Sequence, residues 1–166
     1  MSWDWSQAGE DRGEQDPHVY NKKKGSFVYG TKVAPEYLWY NGESDRYLTG
    51  EEIDPSRVTQ LNWPHGGRDV EGSKIWPFKV HRGKQPYDAE LMTLAVFHTA
   101  GKDDAAFWNT YDWEKALTVG MATKGVEYSG KMGFVETEMS WPITHMVAPK
   151  DDALTCEQCH KKGGRL

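Results

Sequence analysis

Only two cysteines occur in the 166 residues, so there is no second cysteine pair to complete a four-cysteine zinc site. Long aliphatic runs are missing as well. Hydrophobic residues make up 37% of the chain and the mean hydropathy is −0.79. No apolar stretch approaches the ~20 residues of a bilayer-spanning helix. Excess basic charge is also lacking: the formal net charge is −5, which excludes a general nucleic-acid binder with a basic face. Met1-Ser2-Trp3-Asp4-Trp5-Ser6 offers neither a basic n-region nor an apolar h-region, so it is not a secretory signal. Internal repeats and low-complexity segments are absent too.

What the chain does have is aromatic: eight tryptophans and eight tyrosines. Its length suits one domain, 1–166, with a sizeable core. With so few amphipathic stretches, a large flat apolar group would help fill that core, although aromatic-rich loops also pack well on one another. Residues 1–25 are polar, with Glu10-Asp11-Arg12 and Lys22-Lys23-Lys24, and read as an extended arm. Ser26–Tyr29 and Tyr37–Tyr40 have strand-like content, and Asn41–Asp45 followed by Arg46-Tyr47-Leu48 suggests a short hairpin with the second of them. Pro55, Pro64 and Gly66-Gly67 predict an irregular region over 49–72. Residues 74–80 read as a short extended stretch interrupted by Pro77. One helix is well signalled, with Asp112 as N-cap, Trp113, Ala116, Leu117 and Met121 on one face, and Gly125 as the stop. Weaker signals predict helices over 88–100 and 151–161. The expected fold is therefore mainly α, with much irregular loop and a few short strands.

Cys156-Glu157-Gln158-Cys159-His160 names the group expected to fill that core, a haem. This C-x-x-C-H spacing is the attachment signature of a c-type haem. Two thiols three positions apart reach the two vinyl groups on one porphyrin edge, and the histidine that follows supplies the proximal nitrogen. A zinc site on Cys156, Cys159 and His160 is the competing reading, and it would need a lone histidine or carboxylate as fourth ligand. No methionine follows the motif as it does in small monohaem cytochromes. The sustained amphipathic helices of the four-helix c-prime type are also missing. Five other histidines remain. His81 and His145 lie in aromatic and apolar surroundings and are candidate axial ligands, so the metal-ligand candidates are His160, His145 and His81. His18, His65 and His98 read as ordinary histidines. C-type haem is attached outside the cytoplasm, so the absence of an export signal here predicts a piece of something larger.

Several segments together carry a resemblance. They are Trp3–Ser6, Lys24–Tyr29, Pro35–Gly42, the long block Lys74–Asp88, Thr137–Met139, Trp141–Ile143, His145–Lys150 and Gly164-Arg165-Leu166. Over nearly its whole length the chain resembles the C-terminal part of the octahaem tetrathionate reductase family of c-type cytochromes. The resemblance implies a periplasmic multihaem protein that passes electrons along a haem array to a lysine-ligated active haem and reduces tetrathionate, nitrite and hydroxylamine. It implies bis-histidine ligation of the other haems, with His81 and His145 ligating a haem, not necessarily the one attached here. Only one C-x-x-C-H motif is present, so no catalytic lysine is carried over to Lys79 or Lys84, and the catalytic residues are unassigned. The expected function is electron transfer through covalent haem c, with a redox partner or the remaining multihaem region as its complement. A catalytic haem reducing a small oxyanion drawn by Lys79, Arg82 and Lys84 is the alternative, and an apo or zinc-binding structural module the second. Lys161, Lys162 and Arg165 are candidates for steering a redox partner or pairing with haem propionates.

Overall fold

The computed structural model describes residues 1–144 and 150–163. Its spine is a pair of long antiparallel strands, β7 (Lys74–Asp88) and β9 (Met132–Pro142), in continuous register from Phe78↔Pro142 to Asp88↔Met132. The other edge of β7 is shared by three short strands. β4 (Glu36–Tyr40) runs antiparallel along residues 74–78, β1 (Ser2–Asp4) runs parallel along 82–84, and β8 (Thr93–Leu94) pairs with 87–88. Beyond β1 lie β3 (Gly25–Val28) and then β2 (Tyr20–Asn21). Beyond β9 lies β6 (Thr59–Pro64), which is parallel to it, and then β5 (Ser44–Arg46). The result is one nine-stranded mixed sheet.

This overturns the mainly-α expectation, because strand accounts for 33% of the chain and helix for 16%. The period-2 pattern explains β9. Val135, Thr137 and Ser140 are buried while Glu136 is exposed, with a break in strict alternation near the end. In β7, lysines, an arginine and two prolines mask the same alternation. Each proline lacks a donor but still pairs through its carbonyl: Ile143 N donates to Pro77 O at 3.0 Å and Ala95 N to Pro86 O at 3.0 Å. The helix expected over 88–100 is a turn followed by β8. Asp88 has the chemistry of an N-cap and accepts from the Glu90 and Leu91 amides at 2.9 Å each, but Met92 at φ 52° ends the turn. The hairpin expected over 37–48 does not form. β4 pairs with β7 instead, and β5 with β6, a strand that lies within the 49–72 region expected to be irregular.

Helices are few among the described residues. α1 (Phe107–Thr110) and α2 (Trp113–Thr123) pack against each other and against residues 96–99, with Trp113 meeting Phe134 of β9, and α2 starts where Asp112 accepts from Lys115 N at 3.1 Å. Ala116, Leu117 and Met121 are fully buried on its inner face. Gly120 lies so close to the chain that a Cβ would overlap the Val96 carbonyl, so only glycine lets the helix approach here. The core around α1 and α2 is aromatic: Phe97, Phe107 and Trp113 form a cluster, with Phe107 and Trp113 ring centroids 4.0 Å apart. Aromatics thus supply the apolar volume that the aliphatic residues do not. A smaller cluster of Ile53, Leu94 and Val135 sits under the β6 and β8 side. Residues 1–25 contribute β1 and β2 and bury Ala8 and Tyr20.

Candidate functional site

The C-x-x-C-H run forms α3 (Cys156–His160), a helix of barely more than one turn. Such a short helix is marginal in isolation, and its start is secured by a reciprocal cap. Thr155 N donates to Gln158 Oε1 at 2.8 Å, and Gln158 N donates to Thr155 Oγ1 at 3.4 Å. A 3-10 turn, Lys150–Asp152, precedes it. On the helix, positions i and i+3 face the same way, which puts the two sulfurs on one side with His160 one turn on from Cys156. Both thiols are free. Cys156 and His160 are exposed, Cys159 is half-buried, and no α3 residue is buried. Leu154, just before the helix, is 50% exposed. The donor set therefore fits a covalent haem: two unpaired thiols on one face, an exposed imidazole beside them, and apolar surface not yet covered. Zinc finds less support, since among the described residues no three His, Cys, Asp or Glu side chains are grouped as a metal site.

The remaining histidines divide by their surroundings. His18 Nδ1 lies 3.7 Å from Asp16, His65 Nε2 3.4 Å from Asp45, and His98 Nε2 3.0 Å from Asp103. His81 faces no such carboxylate among the described residues. It lies mid-strand in β7, opposite Met139, with its Nε2 buried and without a hydrogen-bond partner. Burial and the Lys79 ammonium hold its pKa below the usual histidine value, so the ring is neutral at neutral pH. The space beside it, lined by Trp3, Trp5, Leu61 and Met139, is about 60 Å³, enough for water and far short of a porphyrin. His145 lies outside the described residues, as does Arg165.

The basic residues considered for anion capture are largely countered. Arg82 is held by Glu36 at 2.8 Å and by Glu138 at 3.4 Å, and Lys84 stands opposite Glu136 across the sheet. Two features had no clear sequence signal. One is Asp88, fully buried, which also accepts from Ser129 N and Ser129 Oγ at 2.6 Å each and so ties the loop before β9 to the end of β7. The other is a cleft of about 350 Å³ beside β3, β4 and β7, whose rim residue Lys32 bonds Asp152 at 2.6 Å.

Comparison with known proteins gives two findings. The model of a family described as bacterial cytochrome c matches residues 1–163. The crystal structure of octaheme cytochrome c from Shewanella oneidensis is similar at 44% identity and a TM-score of 0.81. That match covers 99% of this chain and 39% of the other, so this chain spans well under half the length of its relative. No curated protein sequence matches.

Proposed function

The chain belongs to the bacterial cytochrome c family, and from that premise we propose that it carries one c-type haem, joined through Cys156 and Cys159 and ligated by His160, and transfers electrons as part of a multihaem protein. The observation that carries this is the pair of free thiols on one face of the capped α3 turn with an exposed imidazole next to them. When bound, the haem supplies a reversible one-electron couple, tuned by its axial ligands, burial and hydrogen bonds. The chain's own contribution is to fix the spacing of the two thiols through the Thr155–Gln158 cap and to present His160 beside them.

His81 and His145 are the candidate distal ligands, for this haem or for haems held elsewhere in a longer protein. For His81 the support is a neutral imidazole with an unbonded Nε2. Because that atom is enclosed in this chain, ligation by His81 requires its side chain to turn outward or the neighbouring tryptophans to part. The likeness to an octahaem cytochrome and the resemblance to the octahaem tetrathionate reductases support placing the chain outside the cytoplasm, in the periplasm. They also support assigning reduction of a small sulfur or nitrogen oxyanion to the complete protein. The carboxylates that counter Arg82 and face Lys84 favour electron transfer over anion capture for this part.

The test is expression in a host competent for haem maturation, followed by denaturing electrophoresis with haem staining. The intact chain should stain. The double variant Cys156→Ala/Cys159→Ala should not, while keeping the same sheet-dominated circular dichroism. Equal staining of both would overturn the assignment.

A further inference from the structure

Where β4, the start of β7 and the end of β9 lie side by side, one face of the sheet is bare and aromatic. Trp39 pairs with Ile75, Tyr37 with Pro77, and Trp141 with Lys79. Cross-strand partners project to the same side, as do residues 75, 77 and 79 along β7, so these side chains share one surface. Tyr37 is 66% exposed, Ile75 60%, Trp141 50% and Trp39 39%. Together they leave on the order of 500 Å² open, a size at which apolar patches mark interaction sites. Further along β7 the same face is covered. Beside His81, Gly83 and Gln85 it is roofed by Trp3 and Trp5, whose rings stack at 4.7 Å. The chain thus covers this face itself as far as His81 and leaves the end beyond it open.

Charge and chain length select what covers the open end. Lys79 is the one formal charge on it, exposed and without an ion pair among the described residues. A second copy laid face to face would add another lysine and no carboxylate, and like charges set against each other oppose docking. The octaheme relative contains this fold at a TM-score of 0.81, yet the match covers only 39% of its chain. Most of that protein therefore lies outside the fold described here.

Resting on the multihaem reading above, we propose that the face of Tyr37, Trp39, Ile75 and Trp141 is the docking surface for the rest of the longer protein. The surface that meets it is apolar and presents a carboxylate to Lys79. The aromatic side chains supply the buried area, while the lysine fixes register and excludes cationic surfaces.

The test compares the 166-residue chain with the complete multihaem protein by hydroxyl-radical footprinting read by mass spectrometry. In the complete protein Tyr37, Trp39 and Trp141 should be oxidised several-fold more slowly than in the chain alone. Lys79→Glu should lower the Tm of the complete protein by several degrees and leave that of the chain alone nearly unmoved. Lys124→Glu, the same charge change at the end of α2, should move neither. Equal oxidation of the three residues in both forms overturns the docking surface alone. A natural gene product with no haem-bearing region beyond these residues overturns the multihaem reading and the surface together. If the chain alone sediments as a dimer that Trp39→Lys dissociates, the occupant is a second copy and the proposal falls. Should Lys79→Glu keep the complete protein from maturing, the footprint decides, because it needs no variant.

Discussion

Replacing Asp88 by asparagine should destabilise the chain by about 2–4 kcal/mol at neutral pH. The carboxylate is fully buried and accepts four hydrogen bonds: Glu90 N, Leu91 N and Ser129 Oγ on Oδ1, and Ser129 N on Oδ2. An amide of the same shape turns one acceptor into a donor. In one orientation its NH2 opposes Ser129 N, and in the other it opposes both turn amides. At least one buried N–H then loses its partner, at about 1–3 kcal/mol, and the remaining bonds lose charge assistance. For a chain of this length such a loss lowers Tm by about 5–15 °C. The pH dependence gives a second check. Burial alone pushes the Asp88 pKa up, but the bonds from Leu91, Ser129 and Glu90 outweigh it and leave it below the usual carboxylate value. A depressed folded pKa stabilises above the unfolded value of ~3.9, and the benefit fades as pH falls through the folded pKa. Urea unfolding of parent and variant should therefore show a gap at pH 7 that narrows below about pH 4. A gap under about 1 kcal/mol at pH 7, or one unchanged at pH 3, would mean that the buried Asp88 carboxylate adds nothing that an amide does not.

Other outcomes follow from the same structure. Gly120→Ala pushes a methyl into the Val96 carbonyl and should cost about 1–3 kcal/mol in urea unfolding; a neutral result would mean that α2 can lift off the chain at no cost. Thr155→Ala removes the cap of α3 and should cost about 1 kcal/mol locally, seen as faster hydrogen exchange at the Cys156–His160 amides with the global Tm unmoved. On the bis-histidine reading, cyanide or nitrite at moderate concentration should leave the haem spectrum of the complete protein's electron-transfer haems unchanged. Rapid spectral change at the haem of this chain would favour the catalytic alternative.

The haem motif was legible because its chemistry fixes its spacing: two thiols and an imidazole within five residues need no tertiary context. The same holds for α2, where the Asp112 cap, the apolar face and Gly125 are all local. The sheet was not legible for the opposite reason. β7 finds partners at residues 2–4, 36–40, 93–94 and 132–142, and nothing local announces them. Residues 74–80 read as extended, and they are, but the charged residues and two prolines hid that the strand runs on to Asp88 along β9. Asp88 misled in a specific way. It has N-cap chemistry and makes the capping bonds, yet the turn it closes leads into β8. Of the histidines paired with carboxylates, His18 with Asp16 and His98 with Asp103 are close in sequence, whereas His65 meets Asp45 only through the pairing of β5 with β6.

The proposed electron transfer depends on a covalent bond from haem to Cys156 and Cys159. The direct test is the intact mass of the denatured chain after expression with haem maturation, with sequencing of the peptide that spans residues 150–163. The expected result is a single haem increment located on Cys156 and Cys159. An unmodified mass, with both thiols free to react with an alkylating agent, would contradict it.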